Sequence, residues 1–405
     1  MQKDFKLMKI SINNWAQMAA LWLIVLASFS INLRTAFMSV STGLLLICWL
    51  MSGAYKQKFH IAKNNPAVMI SLFLLLLYGV GVLYSSADME SARVFFLKYD
   101  KLLLIPIVVT TLTNEKFRGY AVNAFLISTI VVLIISYLKL LGIYPHHDEG
   151  QGYIVFKNRI AGSIIISFGM YWMLLRANYT KGSHRITWIA LSLLAAGNVL
   201  FLVNGRTGII TLLALAVLFL YQNFGRKSLK YMVGLALVLS LVAYNTLNNH
   251  DSRLLAVKNE ILTDSGHVAS TSAGLRLEFY KNTMKMISHH PIFGGGTGSF
   301  KNEYSKLVDT QNLAESKTTN PHNQYLLTTQ EIGLVGLITL IAFWLIPWCI
   351  SYELDSSEYG KALRGVVITI AVGSPFNSLL LDASEGKFYC IMAGILLSSY
   401  NPQKS

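Results

Sequence analysis

Three short segments of the sequence combine charged or imidazole side chains with glycines that allow tight turns. The first segment is Asn204-Gly205-Arg206-Thr207-Gly208. An arginine guanidinium can hold phosphate oxygens through two parallel charge-assisted hydrogen bonds, and the glycines let the backbone turn closely around it. The alternative is that Arg206 only anchors the end of a helix among lipid headgroups.

The second segment is a helical pattern that leads into a glycine-rich turn. The pattern begins near Gly274, carries Arg276 and stops at Pro291-Ile292-Phe293-Gly294-Gly295-Gly296-Thr297-Gly298, because proline and glycine end helices. The glycines are not followed by the Lys-Ser/Thr pair of a nucleotide-binding loop, so tight-turn packing is the favoured role for them. Arg276 either contacts a ligand or pairs with Glu278 or Asp264.

The third segment is Pro321-His322-Asn323-Gln324-Tyr325. A neutral histidine can act as a general base that takes a proton from a hydroxyl group. His322 and Gly333 are 11 residues apart, which is about three helical turns, so we expect both on one face of a single helix. The alternative for a lone histidine at a helix start is a capping or interface role.

The elements that position these segments are predicted to be membrane helices. Of the 405 residues, 53% are hydrophobic and 13% are charged, and the mean hydropathy is +0.48, which excludes the soluble classes. The apolar residues form blocks of about 17 to 22, the length of a helix that crosses about 30 Å of hydrocarbon. The predicted spans are Trp15–Leu33, Ala36–Met51, Ala67–Tyr84, Leu102–Leu112, Tyr120–Ile143, Arg159–Leu175, Ile186–Val203, Gly208–Tyr221, Tyr231–Leu247, Ile332–Tyr352, Ala362–Leu381 and Phe388–Tyr400.

We therefore predict an all-α integral membrane protein with about twelve transmembrane helices and one large helical loop. Residues 1–247 would hold helices one to nine, residues 248–324 would form the loop subdomain, and residues 325–405 would hold helices ten to twelve. The fourth span, Leu102–Leu112, is short and contains Pro106, so a broken or tilted segment is an alternative there.

The distribution of lysine and arginine predicts the orientation of the chain. Every segment on the side of the N-terminus is basic, which places both termini in the cytoplasm and residues 248–324 on the outer side. This topology and the attraction to anionic membrane lipids account for much of the net charge of +14, so no nucleic-acid partner is expected. Cys48, Cys349 and Cys390 all lie in predicted spans and suggest neither a disulfide nor a metal site.

Further cations stand at the outer start of the fourth span. Lys98 and Lys101 are three residues apart and therefore on neighbouring positions of a helix. Either lysine is a candidate phosphate contact, with a snorkelling anchor as the alternative. Lys157 and Arg159 are a comparable but weaker case.

Together, these segments resemble a known family. The arginine hairpin, the R-x3-Y helix that runs into H-P-I-F-G-x-G-x-G-x-F, and the H-x10-G that opens the next span resemble the O-antigen ligase / O-antigen polymerase superfamily of bacterial envelope glycosyltransferases. The resemblance covers nearly the whole chain, because the number of spans, the single large periplasmic loop and the length also fit.

The resemblance implies a GT-C-like glycosyltransferase fold and, within the superfamily, the O-antigen ligase activity. The O-antigen polysaccharide would move from undecaprenyl diphosphate to the terminal core sugar of lipid A-core, at the periplasmic face of the inner membrane and without a metal or cofactor. Arg206 and Arg276 would bind the donor diphosphate, and His322 would be the catalytic histidine. Lys98 and Lys101 would add contacts to the donor.

The residue types agree with this chemistry on physical grounds. Breaking a sugar–diphosphate bond puts negative charge on the leaving group, which fixed guanidiniums stabilise without a metal ion. A histidine near two arginines stays neutral and can accept the proton of the acceptor hydroxyl. Displacement in a single step would invert the anomeric carbon.

Three other functions stay open at the level of the sequence. An O-antigen polymerase would extend the glycan on its lipid carrier and use the same donor. A transporter of the lipid-linked polysaccharide would carry polar or charged residues in mid-span, whereas the predicted spans are almost uncharged. A structural scaffold would not need two arginines and a histidine on one face.

Overall fold

The computed structural model describes residues 2–145, 152–203, 205–228, 272–310, 317–354 and 358–400, and this part of the chain is helical without β-strands. A 3-10 turn, Asp100–Leu103, leads into α6, and a π turn, Asn198–Val203, extends α9. The helices are α1 (Gln2–Ser30), α2 (Thr35–Met51), α3 (Tyr55–Lys63), α4 (Pro66–Leu83), α5 (Met89–Leu97), α6 (Leu104–Thr111), α7 (Glu115–Leu140), α8 (Arg159–Tyr179), α9 (Gly182–Gly197), α10 (Arg206–Phe224), α11 (Ser272–His289), α12 (Phe300–Thr310), α13 (Gln324–Glu353), α14 (Glu358–Gly373) and α15 (Ala383–Leu397).

The predicted all-helical membrane architecture is confirmed. Among the described residues, six helices are long and apolar enough to cross a membrane, or seven if the bent pair α2 and α3 is one crossing. Eleven of the twelve predicted spans overlap described helices, whereas Tyr231–Leu247 lies outside the described residues. The count of twelve, the domain boundaries and the GT-C-like fold therefore stay predictions. The described parts of the predicted loop form α11 and α12.

The fourth predicted span is a short helix that the other helices enclose. Every residue of α6 is buried. Pro106 is its third residue, where a backbone N–H has no partner within the helix, so the proline does not break it. Gly394 of α15 permits close packing, because a Cβ added there would lie 2.9 Å from the Cβ of Val108.

One end of the helix bundle, called the basic end below, concentrates cations that are partly or fully buried. Arg118 of α7 donates to the backbone oxygen of Ser398 at 2.7 Å. Arg176 of α8 forms an ion pair with Glu358 of α14 at 2.9 Å. Such partners compensate the cost of removing charge from water. The opposite end carries α11, α12 and the starts of α10 and α13, and is called the loop end.

Helix α13 is broken at Ile332 and Gly333, where Gly333 has a φ of +67°. The break leaves the carbonyl groups of Gln330 and Glu331 without helical partners. Two backbone N–H groups of the glycine-rich segment 291–299 donate to these carbonyls, each at 2.8 Å. The segment therefore supplies the hydrogen bonds that the broken helix lacks, and buried carbonyl groups need such partners. The tight-turn packing expected for these glycines is confirmed.

The expectation that His322 and Gly333 share one helix face is wrong. Helix α13 begins at Gln324, and His322 precedes it with a left-handed φ of +54°. The helix is then interrupted before Gly333, so the spacing of about 3.6 residues per turn does not relate the two residues.

The packing of the glycine-rich segment predicts the effect of adding one methyl group. A Cβ on Gly294, whose φ is +74°, would lie 2.5 Å from the carbonyl carbon of Glu331. A Cβ on Gly182, whose φ is +61°, would meet nothing within 4 Å. Alanine at either position carries a backbone strain of about 1–3 kcal/mol because both glycines have a positive φ. The two variants therefore differ only in the steric clash, which occurs at Gly294. We expect Gly294→Ala to lower the thermal unfolding midpoint in detergent more than Gly182→Ala, and equal midpoints would contradict the packing role.

Candidate functional site

The loop-end site is built around His322 and Arg276. Arg276 lies on α11, one turn before Tyr280, whose hydroxyl donates to Pro375 O at 2.6 Å and to His322 O at 3.4 Å. The imidazole of His322 faces the ring of Phe279, with the ring centroids 6.1 Å apart. Helix α11 therefore packs against His322, and Arg276 on this helix lies close to the histidine.

The charge state of His322 follows from this packing. Burial of the imidazole lowers its pKa from the ordinary value, and the positive charge of Arg276 lowers the pKa further. The same charge acts on Tyr280, although burial raises the pKa of that phenol. His322 is therefore neutral at pH 7, which is the form that accepts a proton.

His322 does not cap helix α13. The cap is Asn323, whose Oδ1 accepts the backbone N–H groups of Tyr325 at 3.0 Å and Leu326 at 3.1 Å. The backbone N–H of His322 donates to Asn320 Oδ1 at 2.7 Å. Within the described parts of the chain, no hydrogen bond uses the imidazole of His322, so the ring is available to a ligand.

Arg206 is the first residue of α10, and its side chain is exposed. Gly205 lets this helix start lie against α8, because an added Cβ would be 2.9 Å from Arg159 O and 2.5 Å from Ser163 Oγ. The glycine beside Arg206 thus serves a close backbone approach, and the guanidinium stands at the loop end.

Both guanidiniums are free of carboxylate partners among the described residues. Neither Arg206 nor Arg276 forms an ion pair there, so the alternative pairing of Arg276 with Glu278 is not formed. Asp264, the other carboxylate considered, lies outside the described residues. An external anion would therefore not have to displace a carboxylate from either arginine in this part of the molecule.

The connector between α14 and α15, residues 374–382, joins the start of α10 at Arg206 to the turn that carries His322. Asn377 Nδ2 donates to Thr207 Oγ1 at 3.1 Å, next to Arg206. Ser378 Oγ donates to Asn320 Oδ1 at 3.2 Å, the same oxygen that holds the backbone of His322. The connector of residues 374–382 therefore links the helix start that carries Arg206 to the turn that carries His322.

Sequence reasoning missed this connector. The predicted span Ala362–Leu381 is wrong at its end, because α14 stops at Gly373. The signal was present in Ser374 and Pro375, since the residue before a proline disfavours the helical conformation. The apolar residues that follow concealed this signal by extending the hydrophobic block.

Two buried side chains hold the connector in place. Gln324 Oε1 accepts the backbone N–H groups of Leu380 at 2.9 Å and Leu381 at 3.0 Å. Lys101 Nζ donates to the backbone oxygens of Leu381 and Asp382, both at 2.8 Å. Lys101 is only 3% exposed, so it supports the connector and does not present its ammonium group to a ligand.

Lys98, the other lysine expected to contact phosphate, is exposed, and its Nζ lies 4.9 Å from the ring centroid of Phe95. Burial raises the pKa of Asp382, and the charges of Lys101 and then Lys98 oppose that shift. Lys98 therefore acts on the end of the connector. Among the described residues, no group of three or more His, Cys, Asp and Glu side chains could hold a metal ion.

Comparison with known proteins supports the resemblance read from the motifs. Residues 190–341 match the family model described as O-antigen ligase, and this region contains Arg206, Arg276 and His322. An uncharacterized protein of Haemophilus influenzae is 31% identical over 136 residues, which are 32% of this chain and 34% of that protein. The chain thus spans about a third of the length of this relative. The resemblance to the O-antigen ligase family is confirmed.

The electrostatic contact between Arg276 and His322 predicts a measurable shift. Removing the positive charge with Arg276→Gln should raise the pKa of His322, because that charge is one of the two causes that lower it. The pH dependence of His322 modification by diethyl pyrocarbonate, followed by mass spectrometry, reports this pKa. Lys285→Gln, an exposed change on the same helix, serves as control. A midpoint that stays equal to that of the control would contradict the contact.

Proposed function

We propose that this chain, whose residues 190–341 match the O-antigen ligase family, is an O-antigen ligase. It transfers the O-antigen polysaccharide from undecaprenyl diphosphate to the terminal core sugar of lipid A-core. One observation carries the proposal: two guanidiniums without carboxylate partners among the described residues and a neutral imidazole lie at one end of a membrane helix bundle, joined by the 374–382 connector.

The proposed setting is the bacterial inner membrane. The basic end faces the cytoplasm, because lysines and arginines are retained on that side. Both termini are then cytoplasmic, and the loop end with Arg206, Arg276 and His322 faces the periplasm. An active site at this level meets the headgroups of two lipid-anchored substrates while their chains stay in the bilayer.

The donor is bound through its diphosphate. Arg206 and Arg276 each offer a planar fork of N–H groups that matches two phosphate oxygens, and their fixed charge stabilises the leaving group as the sugar–phosphate bond breaks. The arginines thereby perform the charge neutralisation that a metal ion would otherwise supply. Lys98 is a further proposed contact, whereas Lys101 contributes through the connector.

His322 acts as the general base. The acceptor hydroxyl oxygen attacks the anomeric carbon, the bond to the diphosphate breaks, and its electron pair leaves with undecaprenyl diphosphate. The proton of the hydroxyl passes to the neutral imidazole. Attack and departure occur on opposite faces of the sugar, so the transfer inverts the anomeric carbon.

The lipopolysaccharide of a deletion strain tests the proposed function. A ligase acts on the acceptor, so its loss should remove all O-antigen from lipid A-core while the lipid-linked polymer is retained. The gel profile of lipopolysaccharide measures this, with a plasmid copy of the gene as control. Core capped with single repeat units would instead indicate a polymerase.

Substitutions at the site should separate donor binding from proton transfer. Arg206→Ala or Arg276→Ala should abolish transfer, and Arg→Lys should restore it poorly because an ammonium group makes no bidentate contact. His322→Ala should lower turnover by about 10² to 10⁴ while donor binding persists. Transfer between purified lipids measures both effects, and added chelator should leave the rate intact.

His289→Ala and His290→Ala are the matched controls for His322→Ala. Both histidines are exposed at the end of α11 and near the loop end, so their loss should affect turnover far less. Near-normal turnover of His322→Ala at saturating donor and acceptor would exclude the general-base role. Full activity of either arginine-to-alanine variant would remove that arginine from the site.

A further inference from the structure

A second group of cations lies at the loop end, where α2 meets α15. It consists of Lys157, which precedes α8, and Lys387 in the second turn of α15. Lys157 Nζ donates to Ser384 Oγ at 3.2 Å and to Thr35 Oγ1 at 3.4 Å. Lys387 Nζ donates to Ser39 Oγ at 2.9 Å. The starts of α2 and α15 thus meet at two lysines and three hydroxyl groups.

The two ammonium groups contact successive turns of α2, because Lys157 donates to Thr35 and Lys387 donates to Ser39. The pKa of Lys157 is lowered to about 8, mainly by burial; the charge of Glu385 opposes this shift, and the charge of Lys387 adds to it. Among the described residues, neither lysine forms an ion pair with a carboxylate. The hydrogen bonds of both lysines go to hydroxyl groups, while the charges of Glu385 and Asp100 act on them without an ion pair. An anion between the two lysines would add an attraction to each of them.

The surface beside these lysines is apolar and faces outward. On the side of Thr35 and Ser39, helix α2 exposes Leu46 at 38% and Leu50 at 48%. Leu46 and Leu50 follow Ser39 by seven and eleven residues, so they continue the face of Ser39 as one stripe along the helix. In a membrane, such a stripe lies against acyl chains, so the lysines at its upper end stand at the level of the headgroups.

We infer that Lys157 and Lys387 form a binding site for the phosphate-bearing headgroup of an anionic lipid, with the acyl chains along the exposed stripe of α2. Thr35 and Ser384, which lie 2.9 Å apart, add hydroxyl donors. Two lipids carry this chemistry: a bulk anionic phospholipid and a phosphorylated glycolipid acceptor. Only the second source rests on the proposed function.

Lipid binding to the purified full-length chain tests the site. Native mass spectrometry would measure retention of phosphatidylglycerol and of phosphorylated lipid A-core, with phosphatidylcholine as the uncharged reference. The change is Lys157→Gln with Lys387→Gln. Each lysine near a membrane surface accounts for about a fivefold change in affinity, so the double variant should bind about 25-fold more weakly.

The control is Lys281→Gln with Lys285→Gln, which removes the same charge from exposed positions of α11. Lys387→Gln alone, expected to weaken binding about fivefold, is the second variant if the double variant does not fold. A loss for both anionic lipids supports a general headgroup site, and a loss for the glycolipid alone supports an acceptor site.

Binding of both lipids at the control level by the lysine variants would overturn the inference. The measurement contains no donor and no transfer step, so it is independent of the enzymatic assay. A chain that binds lipid through these lysines and transfers no glycan would refute the proposed function and leave the lipid site standing.

Discussion

The hydrogen bonds that hold the 374–382 connector are the interactions on which the loop-end site depends. A buried non-helical segment has peptide groups that water cannot reach, so other groups of the protein must bind them. The side-chain oxygen of Gln324 accepts hydrogen bonds from two of its backbone N–H groups, and the ammonium group of Lys101 donates to two of its backbone carbonyl oxygens. With these peptide groups bound, the connector has one position, and Asn377 and Ser378 can fix the turns of Arg206 and His322.

The same requirement operates at the break in α13. The carbonyl groups freed at Gln330 and Glu331 are bound by the glycine-rich segment, which in turn contacts the end of α4 through Thr297 and Gly81, at 3.0 Å. The first turns of α13 are thus fixed on one side by the segment 291–299 and on the other by the connector. His322 lies just before those turns, so both the segment 291–299 and the connector determine its position.

Much of the architecture could be predicted, because a hydrocarbon-spanning helix leaves a long apolar block in the sequence. The site was harder, for reasons visible in single residues. The hydrogen-bond partners of Lys101 are 280 or more residues away in sequence. The local sequence around Lys101 therefore could not distinguish a support for the connector from a phosphate contact. The break at Gly333 lies where a polar run gives way to an apolar stretch, and the segment that stabilises the break is a separate loop. The proximity of Arg276 and His322 also came from packing, and only the family resemblance suggested it.

The short α6 has a consequence for how the protein is made. Its eight residues and the 3-10 turn before it extend about 20 Å, which is less than the hydrocarbon thickness of about 30 Å. Alone, such a segment partitions poorly into a bilayer. In the folded protein this segment packs against α15: Gly394 lies against Val108 of α6, and Lys101 donates to the backbone oxygen of Asp382, just before α15. The segment therefore reaches its final environment only after α15 has also entered the membrane, long after its own residues were synthesised.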